Sequence, residues 1–145
     1  MKKIFPFLVI LMFCACQQEV TQEDLANVNG YWEIKEVNSP DAEKKEYAMN
    51  DTYDYFELKG NQGSRRKVKP QLDGTFLTND MVEDFEVQFA DGKTYFSYST
   101  PYAKWKEEVK SLTDSMMVIV NAEQKEFHYK KTGPINLLGD GEKTK

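Results

Sequence analysis

From Gly30 onward, apolar and polar positions alternate with a period of two over one short run after another. That period puts successive side chains on opposite faces of a strand. Tyr31 to Asn38 is the first run, with Trp32 and Ile34 sharing a face. In the second, Tyr53 to Lys59, Phe56 and Leu58 share one. Arg65 to Lys69 is basic and ends at Pro70. Thr75 to Thr78 is short. Glu83 to Phe89 alternates throughout, which predicts Phe85, Val87 and Phe89 inside and Asp84, Glu86 and Gln88 outside. Thr94 to Tyr98, Ala103 to Leu112, Met116 to Val120 and Glu126 to Lys130 complete the series.

The breaks between runs carry turn chemistry. Gly60-Asn61-Gln62-Gly63, Asp73-Gly74, Thr113-Asp114-Ser115 and Asn121-Ala122-Glu123-Gln124 separate runs, and Asp91-Gly92 is the strongest hairpin signal. Parity breaks after Val109, which predicts a bulge there. Lys104 to Lys110 is the one later segment that would also suit a helix; between two turn signals it reads as a strand. Strands of this kind in series predict an all-β domain, an antiparallel up-and-down barrel of eight to nine strands, with a two-sheet β-sandwich as the alternative. The long charged connection from Ser39 to Asp51 reads as a lid loop.

The N-terminal stretch follows other rules. Lys2 and Lys3 precede an apolar segment, Ile4 to Phe13, that is too short to span a bilayer stably. Phe13-Cys14-Ala15-Cys16 resembles a bacterial lipoprotein lipobox, with Phe13 where an aliphatic residue is usual. The resemblance implies cleavage before Cys16 and acylation of that cysteine, and Gln17 directly after it does not look like an inner-membrane retention signal, so the outer membrane is the expected location. Cleavage at an ordinary signal-peptide site nearby is the alternative. The expected organisation is a signal peptide over 1–15, a tether with a short helical turn over 16–28, a barrel over 29–131 and a tail over 132–145. Thr21 and Asp24 have capping-box spacing for that turn.

Processing removes two of the 19 Lys+Arg against 24 Asp+Glu, moving the net charge from −5 to −7. An acidic domain is a poor general binder of nucleic acid. Both cysteines lie in the leader region, so the mature domain has no disulfide and rests on packing.

Gly30-Tyr31-Trp32 at the first strand, the long connection after it and a closing hairpin from Ser111 to Lys131 together resemble a bacterial lipocalin-like domain. The resemblance implies a closed barrel with Gly30 and Trp32 at its floor, a lid over its mouth and one small apolar or amphipathic ligand inside. No Thr-Asp-Tyr motif is found. Lys130 or Lys131 stands where animal lipocalins place an arginine across the tryptophan.

Catalytic parts are few. His128 is the single histidine, and its parity against Phe127 and Tyr129 turns it to solvent. No nucleophile–base pair, zinc set or cofactor motif is present. Asp80, Glu83, Asp84 and Glu86 read as a solvated rim without calcium-loop spacing. In the basic run, an inward Val68 would carry Arg66 inward as well, offering an anchor for an anionic head group unless it reaches water at the rim. The expected ligand wall is Arg66 with Phe56, Leu58, Phe85, Val87 and Phe89. A non-enzymatic, monomeric, membrane-anchored carrier is the first expectation. A filled barrel serving as an envelope interaction module or inhibitor, showing outward Tyr53, Tyr55 and Tyr98, is the second.

Overall fold

The computed structural model describes residues 19–133. The expected leader, the lipidation site Cys16 and the tail from residue 134 lie outside the described residues. A 3-10 helix, Asp24–Val28, precedes nine strands: β1 (Gly30–Ser39), β2 (Ala42–Glu46), β3 (Tyr53–Lys59), β4 (Gln62–Pro70), β5 (Phe76–Ala90), β6 (Lys93–Ser99), β7 (Lys104–Leu112), β8 (Met116–Val120) and β9 (Glu126–Thr132).

Every sequential pair from β3 to β9 is an antiparallel neighbour, and β1 pairs with both β3 and β9. The ring is therefore a closed eight-stranded antiparallel barrel, and β2 is an extra strand hung on the far half of β1. Closure leaves no unpaired edge in the ring itself. The β7–β8 ladder shifts register between Val109 and Ser111, the bulge that the broken alternation demanded. Asp91 and Gly92 both have positive φ, 53° and 71°, as a two-residue hairpin turn between right-twisted strands requires.

Two expectations about local structure change. The connection after the first strand is not an open loop. Its first part turns back at once and pairs as β2, with Val37 opposite Lys45 and Ser39 opposite Ala42. All five β2 residues are exposed, and Lys44 bridges Glu36 and Glu46. A run of charged residues had disguised a strand whose side chains all meet water. Thr75–Thr78 and Glu83–Phe89, read as two strands, fall on one 15-residue strand, β5, which takes in all but Thr75 and has a register shift opposite Arg66 and Val68.

The floor is built from the N-terminal turn and the first residues of β1. Thr21 and Asp24 exchange hydrogen bonds: the Thr21 amide and hydroxyl donate to the Asp24 carboxylate at 2.8 and 2.9 Å, and the Asp24 amide donates to Thr21 Oγ1 at 3.4 Å. This fixes the turn that carries Leu25 and Val28 into the barrel, where both are buried. Trp32 is fully buried and donates its indole N–H to the Val28 carbonyl at 2.7 Å. Lys131 places Nζ 5.1 Å from the indole ring and donates to the Asn27 carbonyl at 2.8 Å, tying β9 to the turn. Gly30 opens β1 at a φ of +126° beside the Lys131 stem.

Above the floor the lower half of the barrel is filled. Phe85 stacks on Phe96 at 4.4 Å, and Phe56 meets them at 6.2 and 6.3 Å. Val87, Met117 and Ile119 complete this layer, all buried. Gly63 is needed opposite Phe85: a Cβ there would collide with the Cζ edge of the ring and stand 2.8 Å from the Glu57 carbonyl oxygen.

Candidate functional site

The upper half of the barrel is different in kind. Following the ladders upward from Phe56 and Phe96, the inward positions become Asp54 on β3, Arg65 and Lys67 on β4, Glu83 on β5, Tyr98 on β6, Trp105 and Glu107 on β7 and Tyr129 on β9. Arg65 is the centre. Its Nε donates to Glu83 at 2.6 Å and its Nη1 to Glu107 at 3.1 Å, while the guanidinium lies 4.5 Å from the Tyr98 ring centroid. Tyr98 in turn stacks on Trp105 at 5.0 Å with the planes 9° apart, and Trp105 donates its indole N–H to Glu107 at 3.3 Å. A second pair stands beside this group. Asp54, 2 % exposed, accepts from the Tyr129 hydroxyl at 2.9 Å and contacts Lys67 Nζ at 2.5 Å.

Burial sets the electrostatics. Charges this far from water need partners, and each here has at least one of opposite sign. Burial opposes the charge on Arg65, but Tyr98, Glu107, Tyr129 and Asp54 more than offset it and its pKa is raised. Burial, with nearby carboxylates and against the opposing pull of Arg65, pushes the Tyr98 and Tyr129 phenols well above their ordinary range, so both are neutral hydroxyls at physiological pH. Tyr98 Oη is buried and has no hydrogen-bond partner among the described residues.

The expected ligand wall is redistributed. Arg66 does not point inward. Phe56 pairs with Arg65 in an unbroken register, so Arg65 shares the inner face and Arg66, opposite Tyr55, lies outside. The inference from Val68 fails because Val68 is buried on the outer side, paired with Tyr53. There the distal part of the β4–β5 hairpin folds over the barrel wall and stacks Phe76 on Tyr31, 4.2 Å away on a non-neighbouring strand. Phe56, Phe85 and Val87 are packed into the filled lower half, and Leu58 is half-buried against it. Phe89 is 50 % exposed, because β5 has by then reached the floor-side hairpin and run out of interior. Glu83 leaves the expected solvated rim and binds Arg65. His128 faces outward but is only half-exposed, between Asn38 and Glu126 at 3.2 Å each.

Counting back from the Gly60-Asn61 turn would have found Arg65, since Lys59 opposite Gln62 puts Phe56 opposite Arg65. No periodic signal marks Asp54 or Glu107 as inward, because a carboxylate at an inward position looks like an error in the alternation. Among the described residues, no three His, Cys, Asp or Glu side chains converge to hold a metal. The clefts lined by Glu19, Val20 and Asp24, by Asp91 to Thr94, and by Glu57, Ser64 and Asp84 lie on the floor and the outer wall, away from the charged group.

The sequence matches a family model described as a lipocalin-like domain over residues 28–119. No curated protein matches it. Among solved structures, a lipocalin-like protein from Bacteroides uniformis aligns at 11 % identity and a TM-score of 0.46, over 73 % of this chain and 99 % of that one. An uncharacterized protein from Bacteroides eggerthii aligns at 13 % identity and a TM-score of 0.45, over 72 % of this chain and 98 % of that one.

Proposed function

The chain belongs to the lipocalin-like domain family, and from that premise we propose that it is a non-enzymatic binding protein of the bacterial envelope, lipid-anchored through Cys16, which holds one small amphipathic molecule in the upper half of its barrel. The observation that carries the reading is the division of the interior. Below, aromatic and aliphatic side chains fill the barrel and stabilise it. Above, ionic and hydrogen-bonding groups stand beside the partly exposed rings of Trp105 and Phe127. A filled floor with a polar, aromatic-walled mouth suits a molecule that enters head first and leaves apolar atoms on the upper wall. The 3-10 helix and floor lie at the end from which residue 19 emerges, so an anchor at Cys16 would leave the mouth turned away from the membrane.

Native mass spectrometry of protein extracted gently from its own envelope tests the binding. A stoichiometric adduct that disappears on organic extraction is the expected result. An adduct-free chain of the mature mass counts against the carrier. Incorporation of labelled palmitate, lost in Cys16→Ser, tests the anchor.

One observation favours an interaction module as a second reading. Leu72, Leu77 and Met81 on the distal β4–β5 hairpin are 73, 60 and 72 % exposed. The tyrosines first assigned to that role do not serve it: Tyr53 and Tyr98 are buried, and Tyr55 packs against Tyr31.

A further inference from the structure

An inward arginine in a binding barrel invites the idea of a carboxylate ligand. The charge count in this mouth argues the opposite. Arg65 and Lys67 face three carboxylates, Asp54, Glu83 and Glu107. Arg65 is already engaged along its fork, by Glu83 at Nε and Glu107 at Nη1, and its face is covered by Tyr98. An incoming carboxylate would have to displace one of these internal acids and would then leave it buried without a partner.

A second, independent feature points to a ligand. The Tyr98 hydroxyl is unpartnered, on a side chain 1 % exposed, within electrostatic reach of Arg65, Glu107, Asp54 and Glu83. Asp54 is not open in the same way: its Oδ1 faces the Lys67 ammonium and its Oδ2 accepts from Tyr129. The Tyr98 oxygen can accept a hydrogen bond. A buried acceptor left unsatisfied costs free energy that a donor would recover. A group with several N–H donors and a positive charge would answer both the Tyr98 oxygen and the excess carboxylate. The half-exposed rings of Trp105 and Phe127 offer an apolar wall for the rest of such a molecule.

We infer that the barrel mouth selects an amphipathic primary amine, its ammonium seated beside Tyr98 and Glu107, over the corresponding carboxylate. The inference rests on the proposed small-ligand reading and names the class of molecule for that site.

Calorimetric titration of the full chain at neutral pH with octylamine, octanoate and octanol tests it, with intrinsic tryptophan fluorescence followed in parallel. Octylamine is expected to bind at least about tenfold more tightly than octanoate, since a like charge is penalised in a desolvated site. Tyr98→Phe keeps the ring between Arg65 and Trp105 and removes only the orphaned hydroxyl, so the fold should survive it. It should weaken octylamine by about tenfold, the loss of one charge-assisted hydrogen bond, and leave octanoate unchanged. Glu107→Gln should narrow the amine preference. Octanoate binding as tightly as octylamine would overturn the amine inference and leave the small-ligand reading standing. An amine preference untouched by both variants would place the site elsewhere and overturn the inference. Binding of none of the three probes would overturn both readings.

Discussion

The guanidinium of Arg65 lies 4.5 Å over the ring of Tyr98, inside the barrel, while the adjacent Arg66 lies outside it. One residue of register separates a buried, doubly paired cation from one on the wall. Arg65→Leu should therefore cost about 3–5 kcal/mol, because Glu83 and Glu107 would be left facing each other without their cation. Arg66→Ala should cost about 0.5 kcal/mol, as an outer-face substitution. Urea unfolding of both variants checks the contrast; equal effects would mean the register is wrong.

Trp32 joins the floor to the N-terminal turn through its bond to Val28 and its contact with Lys131. Trp32→Ala should destabilise by about 3–5 kcal/mol, the range for removing a large aromatic from a core. A variant that melts with the wild type would remove the floor from this account.

Gly63 and Phe85 predict a coupled pair. Gly63→Ala should cost about 1–3 kcal/mol, because the added methyl group meets the Phe85 ring and the Glu57 carbonyl. Phe85→Leu clears only the ring side of that collision. The double variant should thus be more stable than the sum of the single losses, a coupling measurable in a double-mutant cycle. Strict additivity would refute the contact.

Tyr98 and Tyr129 predict an alkaline limit. Burial holds both phenols protonated well above their ordinary pKa of 10.0, and for Tyr129 the Asp54 charge adds to it. A folded pKa raised above the unfolded one contributes stability that is present below about pH 10 and lost as the pH climbs through the folded value. Phenolate absorbance should therefore show a late stage, from the buried pair, that appears only with unfolding. A single stage complete before the near-ultraviolet circular dichroism changes would contradict the burial of both rings.

The site was legible only in pieces. Trp105 and Tyr98 were visible as aromatics, but nothing in their spacing showed that they stack or that Arg65 covers one of them. Phe89 and Arg66 had the right residue types at the wrong heights and faces. Alternation tells which residues share a face; it does not tell where along a strand the interior begins and ends.

Read alone, the residues carry the all-β series, the antiparallel hairpin order and the bulge beyond Val109. Each follows from a local cause: period-two burial, a turn residue that tolerates positive φ, or a break in parity. Long-range packing settles that β1 closes the ring against β9, that β2 stands outside it, that Val68 is buried on the outer wall, and that Asp54, Arg65, Glu83 and Glu107 meet inside. Those outcomes depend on how far the hairpins extend and where they fold back on one another. An inward carboxylate is tolerable only when a cation from another strand arrives beside it, and that pairing is made across the barrel rather than along the chain.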